Sequence, residues 1–94
     1  MPKNRITFRV HAIRRMFERS ITEGDVRHVL DTGDVIERYP DDKPYPSRLV
    51  LGFCGGRPVH IVAADNGDEL QTIVVTVYEP DAKTWEDDFR RRRK

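Results

Sequence analysis

The stretch SRLVLGFCGGRPVHIVAA, residues 47–64, decides the fold of this chain. Two runs rich in β-branched and other apolar residues, 47–54 and 57–64, flank the pair Gly55-Gly56. A two-residue glycine connection between two such runs is typical of a tight β-hairpin. The middle of the chain is therefore predicted to be antiparallel sheet.

Two further runs with strand character, residues 34–40 and 69–78, lie on either side of this hairpin. Asn66-Gly67 predicts a second tight turn, whereas the proline-rich segment 41–46 predicts a longer connection. Together the four runs predict a four-stranded antiparallel meander.

The residues before the sheet follow a helical period instead. Residues 8–19 are predicted to form a first helix that Thr7 caps. Thr22 and Asp25 have the spacing of a capping box that opens a second, shorter helix, and Gly33 is expected to end it in the left-handed conformation.

After the last strand, residues 81–92 are predicted to form a short helix anchored by Trp85 and Phe89 at positions i and i+4. The predicted fold class is α+β: two N-terminal helices packed on a four-stranded antiparallel meander, with a short C-terminal helix.

The two tight turns also assign the faces of the sheet, since counting outward from them places His60 opposite both Leu51 and Ile73. One face carries Leu49, Leu51, Phe53, His60, Val62, Ile73, Val75 and Val77. The other carries Arg48, Val50, Val59, Ile61, Leu70, Thr72, Val74, Thr76 and Tyr78. The first face is predicted to receive the helices, because the second has a polar rim at Arg48, Thr76 and Tyr78. A one-residue error in either turn exchanges the faces.

Length and composition bound the class of protein. Ninety-four residues suit one domain, 1–94, and segments 1–7 and 92–94 are expected to be flexible. No apolar run approaches the roughly 18 residues of a membrane span, and the N-terminus lacks the apolar block of a signal peptide, so a cytoplasmic protein without a membrane partner is expected. Cys54 is the only cysteine, which excludes an internal disulfide and a thiolate-pair zinc site.

The net charge of +1 conceals a segregation of charge along the chain. Residues 1–30 carry seven Lys/Arg against three Asp/Glu, residues 31–89 carry five against thirteen, and residues 90–94 are all basic. Cationic ends around an anionic middle favour an anionic partner such as RNA or an acidic protein. An ordinary solvated surface is the alternative.

The polar side of the first predicted helix carries His11, Arg14, Arg15, Glu18 and Arg19. His11 is a candidate general acid or base, and an exposed surface histidine is the alternative. The arginines repel one another unless an anion gathers them, and guanidinium groups fit phosphate oxygens in a bidentate manner. Pairing with the acidic middle of the chain explains the arginines equally well.

His60 interrupts an apolar strand, which is typical of a buried, hydrogen-bonded structural histidine and also compatible with a site histidine. Arg48, Thr76 and Tyr78 are expected to gather at one end of the sheet and to offer a cation, a hydroxyl and a phenol to a ligand. The three histidines have no metal-ligand spacing, and no glycine-rich loop precedes a helix, so neither a metal nor a cofactor is expected.

A set of short motifs runs through about residues 8–92 in a fixed order: His11-Ala12-x-x-Arg15-Met16-x-x-Arg19-Ser20-Ile21, Asp25-Val26, Tyr39-Pro40, Arg48-Leu49-x-x-Gly52, Pro58-x-His60 and Thr76-x-Tyr78-x-Pro80. In this order they resemble a bacterial family of unknown function that is known by its HAxxRM motif and by a histidine-bearing third strand. Ser20 stands where glycine is frequent in that family.

The resemblance implies a small fold grouped with the RelE-like ribonuclease toxins and the wider barnase, EndoU, colicin and RelE set. Members are expected to be metal-independent endoribonucleases without a cofactor, acting on RNA, in some cases on the ribosome, and often paired with an antitoxin protein. The expected catalytic residues are then His11, His60 and Tyr78, and the expected substrate-binding residues are Arg15, Arg19, Arg48 and Thr76. A non-catalytic RNA- or protein-binding module is the alternative function.

Overall fold

A computed structural model describes residues 5–93 of the chain. Its helices and strands follow one another as β1 (Arg5–Phe8), α1 (Val10–Arg19), α2 (Glu23–Thr32), β2 (Asp34–Tyr39), β3 (Ser47–Cys54), β4 (Arg57–Asn66) and β5 (Gln71–Tyr78).

The sheet has five strands in the order β1-β5-β4-β3-β2. Strands β2 to β5 form antiparallel neighbours, but β1 pairs parallel with β5, from Arg5 opposite Gln71 to Phe8 opposite Val74. The fold is α+β, as predicted, but the predicted four-stranded antiparallel meander is wrong. Four residues are too few for a strand period to stand out, so the sequence pattern alone assigns these residues partly to a flexible end and partly to the first helix.

Helix α1 begins two residues later than predicted, because Thr7 and Phe8 belong to β1. Its N-cap is Arg9, without a side-chain cap, and the Thr7 hydroxyl instead accepts a hydrogen bond from Gln71 on β5. The helix ends at Arg19, as predicted, and Ser20 follows in the left-handed conformation with φ 54°. Residues 5–7 belong to a segment that was expected to be flexible, but they are part of strand β1. Residues 1–4 and 94 lie outside the described residues.

The capping box of α2 is confirmed. The Thr22 hydroxyl accepts from the Asp25 amide at 3.0 Å, and the Asp25 carboxylate accepts from the Thr22 amide at 3.0 Å. The hydrogen bond from the Thr22 backbone is the main reason why the pKa of Asp25 lies below its ordinary value. The local sequence is therefore sufficient to start this helix.

Gly33 ends α2, but its conformation differs from the prediction: φ is −77°, in the extended region. Space rather than backbone freedom requires glycine here. A Cβ atom at this position would lie 2.6 Å from the carbonyl oxygens of both Leu51 and Val29.

We therefore expect Gly33→Ala to lower the free energy of unfolding by about 1–3 kcal/mol, because backbone atoms must shift to admit the methyl group. Urea denaturation of both proteins measures the difference. Gly67→Ala is the matched control, since a Cβ at Gly67 meets nothing within 4 Å. Equal unfolding midpoints for Gly33→Ala and the wild type would contradict the steric argument.

Both helices pack on one face of the sheet, which we call the helix face. It contributes Val50, Val59, Ile61, Ala63, Val74 and Val77 to a core completed by Ala12, Met16, Ile21, Val26 and Val29. The opposite face carries Leu49, Leu51, His60 and Tyr78, and we call it the histidine face. The prediction that the helices cover the face of His60 is therefore wrong.

The first hairpin has the predicted register, with Leu51 opposite His60, whereas the second departs from prediction. Residues 67–70 form its turn, and Asn66 pairs with Gln71. A β-bulge on β5 then shifts the register between the pairs Val62–Thr76 and Ala63–Val74. Beyond the bulge His60 lies opposite Tyr78 instead of Ile73, and Thr76 and Tyr78 join the histidine face.

Residues 79–93, the C-terminal segment, contain turns and an isolated bridge between Trp85 and Arg92 rather than the predicted helix. The amide of Glu86 donates to the Arg91 carbonyl at 2.8 Å, so the backbone folds back on itself. Phe89 has a left-handed φ of 60°. Burial of Trp85 against the histidine face overrides the helical spacing of the sequence.

Within residues 5–93, neither helix has the length and apolar character that crossing a bilayer requires.

Candidate functional site

His60 is the centre of the polar structure on the histidine face. Its side chain is 0% exposed, and both ring nitrogens have partners. Nδ1 lies 3.1 Å from the Tyr78 hydroxyl, and Nε2 lies 2.9 Å from the Phe89 carbonyl oxygen. A buried imidazole with two hydrogen bonds has a fixed ring orientation.

The two partners also define the tautomer of a neutral His60. The Phe89 carbonyl can only accept, so Nε2 carries the proton and donates to it. Nδ1 then has the lone pair and accepts a hydrogen bond from the Tyr78 hydroxyl. Burial lowers the pKa of His60 below its ordinary value of 6.5, and the nearby Arg92 lowers it further. The neutral ring is therefore the dominant form near pH 7.

Aromatic rings and one guanidinium enclose the imidazole. Trp85 meets it edge to face with ring centroids 4.4 Å apart, and Tyr78 does so at 5.2 Å. The Arg92 guanidinium lies over the Trp85 ring, 5.0 Å from its centroid. Trp85 is itself buried, so the C-terminal segment seals His60 from solvent on this side.

An acidic group on β2 completes the electrostatics. The Tyr39 hydroxyl donates to the Glu37 carboxylate, and burial together with this hydrogen bond raises the pKa of Tyr39 to about 12. Burial also raises the pKa of Tyr78, while Arg92 lowers it and Glu37 raises it. Glu37 favours a cationic His60. Both phenols are therefore protonated near neutral pH.

The lowered pKa of His60 predicts a pH-dependent stability. Between its folded pKa and 6.5, the unfolded chain binds more protons than the folded chain, so stability falls as the pH drops through this window. We expect the urea midpoint to fall as the pH is lowered from 7.5 to 5. This one group should change the free energy of unfolding by at most about 1.4 kcal/mol per pH unit. His60→Gln should flatten the slope, whereas the exposed His28→Gln should keep it; equal slopes in all three proteins would refute the assignment.

A hollow of about 140 Å³ opens further along the histidine face. Val62, which pairs with Thr76, lines it together with Arg9, Lys43 and Tyr45. Asn66 donates a hydrogen bond of 2.9 Å to the Tyr45 hydroxyl, which orients that ring. Asp42, whose carboxylate accepts from the Ser47 hydroxyl, also lines the hollow. Two cations, one carboxylate and an aromatic ring thus lie beside the strand that carries Thr76 and Tyr78.

The predicted site residues divide between the two faces. His60, Thr76 and Tyr78 share the histidine face, and the bulge in β5 brings them together. His11 and Arg15 are exposed on α1, which packs on the helix face. The sheet therefore separates His11 from His60.

Two further predicted residues have partners at the edges of the molecule. Arg48 is on the helix face and forms an ion pair with Asp65, so the expected cluster of Arg48 with Thr76 and Tyr78 does not form. The β-bulge explains the difference, because it exchanges the faces of β5 beyond Val75 and leaves the faces of β3 unchanged. The Arg19 carbonyl accepts from Arg57, and the Arg19 side chain lines an open hollow with the start of the C-terminal segment.

Within residues 5–93, no group of three or more His, Cys, Asp or Glu side chains is arranged to hold a metal ion. Cys54 is half-buried, and burial raises the pKa of its thiol, so the thiol form dominates near neutral pH.

Sequence reasoning missed the residues that surround the His60–Tyr78 pair, namely Glu37, Tyr39, Trp85, Phe89 and Arg92, and those at the hollow, Arg9, Lys43 and Tyr45. Alternation along residues 34–40 places Glu37 and Tyr39 on one strand face, which was an available signal. No such signal was available for Trp85, Phe89 and Arg92, because they reach His60 only when the backbone of the C-terminal segment is not helical.

The family model described as "Domain of unknown function (DUF4258)" matches residues 8–79, more than two thirds of the chain. No curated protein and no solved structure matches it.

Proposed function

Since this chain belongs to the DUF4258 family, whose function is unknown, we propose a function from the geometry of the histidine face: a metal-independent endoribonuclease in which His60 and Tyr78 transfer the proton. The observation that carries the proposal is the 3.1 Å contact between the Tyr78 hydroxyl and the unprotonated nitrogen of a buried imidazole. A phenol paired with a base in this way is a proton relay.

RNA supplies its own nucleophile, the 2′-hydroxyl, so the protein need only move protons and stabilise charge on the phosphate. The 2′-hydroxyl gives its proton to the Tyr78 oxygen as O2′ bonds to phosphorus, and Tyr78 gives its own proton to Nδ1 of His60. The 5′-oxygen leaves and takes a proton from water, the hydroxide that remains takes the proton back from the His60–Tyr78 pair, and the product is a 2′,3′-cyclic phosphate. Glu37 and the Phe89 carbonyl favour the imidazolium that forms.

In this proposal the RNA chain lies along β5, from Tyr78 past Thr76 to the hollow. The two residues lie on the same strand face, about 7 Å apart. Arg9 and Lys43 are available to phosphate oxygens, and the Tyr45 ring is available for stacking with a base. This path replaces the arginines of α1 as the main substrate surface.

The sequence motifs resemble a family that is expected to be grouped with the RelE-like toxins, and this resemblance extends the proposal. A toxin-like role in the cytoplasm, with RNA on the ribosome as one target and an antitoxin as a partner, is the biological setting that it suggests. The cationic residues 90–93 add a salt-dependent, sequence-independent attraction to RNA.

The test incubates the purified protein with a structured RNA, and separately with ribosomes, in the presence of a chelator. We expect cleavage that leaves a 2′,3′-cyclic phosphate, detected by mass spectrometry of the fragments. The same RNA with a single 2′-deoxy substitution at the cleaved position is the matched control, and it should stay intact there. Absence of cleavage of both substrates, or cleavage of the 2′-deoxy position, would refute the proposed chemistry.

A second candidate function is a non-catalytic binding module. It is favoured because His60 is fully buried and both of its ring nitrogens already have hydrogen-bond partners. These properties also suit a structural histidine in a non-catalytic RNA-binding module. In that case RNA is bound along the hollow without being cut, and Tyr78→Phe leaves its affinity unchanged. Filter binding and cleavage assays on the same samples distinguish the two functions.

A further inference from the structure

A second, larger hollow adjoins the hollow of about 140 Å³, beside the paired strands β1 and β5, and we call it the β1 hollow. Its volume is about 460 Å³. Small-molecule sites in proteins typically measure about 300–1,000 Å³. The two hollows share Arg9, Pro44, Tyr45 and Ile73, so they are continuous. The β1 hollow is therefore large enough for a ligand of its own.

Asn66 orders one wall of the β1 hollow. Its side chain is buried, its amide nitrogen donates to the Tyr45 hydroxyl at 2.9 Å, and its Oδ1 accepts from the Glu69 amide at 3.4 Å. One buried side chain thus ties the Tyr45 ring to the turn that carries Glu69, and both residues line the hollow. A site whose walls are already ordered binds a ligand at a lower entropic cost.

The polar groups that Glu69 and Gln71 leave for a ligand of the β1 hollow are acceptors. Gln71 donates its amide nitrogen to the Thr7 hydroxyl, which leaves its Oε1 as an acceptor. The Glu69 side chain is exposed, and no ion pair within residues 5–93 includes it. An ionised carboxylate can only accept hydrogen bonds. These two residues therefore favour a ligand with N–H donors on one edge.

An aromatic ring beside a carboxylate distinguishes among the RNA bases. Guanine has two adjacent N–H donors, at N1 and N2, and a carboxylate accepts from both in a charge-assisted, bidentate manner. Adenine and cytosine place a ring acceptor next to their amino group, which a carboxylate disfavours, and uracil has one N–H between two carbonyls. The Tyr45 ring offers a stacking surface that suits any base. The discrimination therefore comes from Glu69.

We propose that the β1 hollow binds the guanine base of a nucleotide. The base stacks on Tyr45, the Glu69 carboxylate accepts from N1–H and N2–H, and the phosphate meets Arg9 and Lys43 in the smaller hollow. A guanosine within RNA and a free guanine nucleotide share this chemistry. The site adjoins the RNA path of the proposed function, but binding of a base requires no proton relay, so the proposal does not depend on cleavage.

The test measures the affinity of the full chain for nucleoside 5′-monophosphates by isothermal titration calorimetry. We expect guanosine monophosphate to bind at least about tenfold more tightly than the adenosine, cytidine and uridine monophosphates, the discrimination typical of a bidentate contact to a base. Inosine monophosphate, which lacks only the 2-amino group, should bind with an intermediate affinity.

Three variants separate recognition of the base from stacking and from net charge. Glu69→Gln should reduce the affinity for guanosine monophosphate to that for adenosine monophosphate. Asp68→Asn is the matched control, because it removes the same charge from an exposed neighbour outside the lining of the hollow, and it should keep the preference for guanine. Tyr45→Leu should weaken all four nucleotides alike, since stacking does not distinguish the bases.

Because Glu69 is exposed, Glu69→Gln should fold, and its urea midpoint checks this. Equal affinities for the four nucleotides, or a preference for guanine that persists in Glu69→Gln, would overturn the proposal. So would loss of the preference in Asp68→Asn, because net charge would then explain it. Displacement of guanosine monophosphate by a single-stranded adenosine oligonucleotide that contains one guanosine assigns the site to RNA, and failure of that RNA to compete assigns it to a free nucleotide.

Discussion

Trp85→Ala is expected to lower the free energy of unfolding by about 3–5 kcal/mol, the usual range for removing a buried aromatic side chain. Trp85 is buried, meets the imidazole of His60 edge to face at 4.4 Å, and supports the guanidinium of Arg92. Its loss leaves a cavity next to a buried polar ring. Native domains have a total stability of about 5–15 kcal/mol, so this loss is a large fraction of it and the variant should melt at a markedly lower temperature.

Urea denaturation followed by circular dichroism measures the loss. Trp85→Phe keeps a ring in the cavity and should lose less than Trp85→Ala. Arg92→Ala removes only the cation above the ring, and about 1 kcal/mol is expected for it. If Trp85→Ala were no less stable than Arg92→Ala, the C-terminal segment would not be the seal over His60 that the structure describes.

The second large effect concerns RNA cleavage. Tyr78→Phe is expected to reduce the cleavage rate by roughly 10²- to 10⁴-fold, the range for loss of a positioned acid–base group. The substitution removes one hydroxyl and keeps the ring packed edge to face against His60. The fold should therefore persist, and single-turnover cleavage of a defined RNA measures the rate.

His60→Gln should cause a loss of similar size, because it removes the nitrogen that receives the proton. The exposed His28→Ala is the control for a general effect of losing an imidazole. His11→Ala decides between two assignments of the base. A loss in His11→Ala as large as in Tyr78→Phe would return the chemistry to the first helix and contradict the relay on the histidine face.

Much of the fold was predictable because local interactions specify it. The capping box of Thr22 and Asp25 and the glycine turn at Gly55-Gly56 set element boundaries that the structure confirms. The parallel strand β1 was not predictable in the same way, since its partner is β5, more than sixty residues away. Non-local pairing leaves little trace in the composition of a four-residue segment.

The site was predictable only in part, for one physical reason: a single extra residue in a strand exchanges its two faces. The sequence identifies His60, Thr76 and Tyr78 as individually notable, but the bulge near Val75 decides that they share a face. The same bulge separates them from Arg48. Sequence patterns describe each strand by itself, and the register between strands depends on packing across the whole sheet.

The pairing of β1 with β5 has a consequence for self-association. Without β1, the apolar strand Gln71–Tyr78 would be the unprotected margin of the sheet, with free amide and carbonyl groups along its length. Such a strand is a template for pairing with other chains and a starting point for amyloid-like stacking. Residues Arg5–Phe8 therefore protect part of this edge against aggregation, because they pair with Gln71 to Val74 through a short strand that begins with a charged side chain.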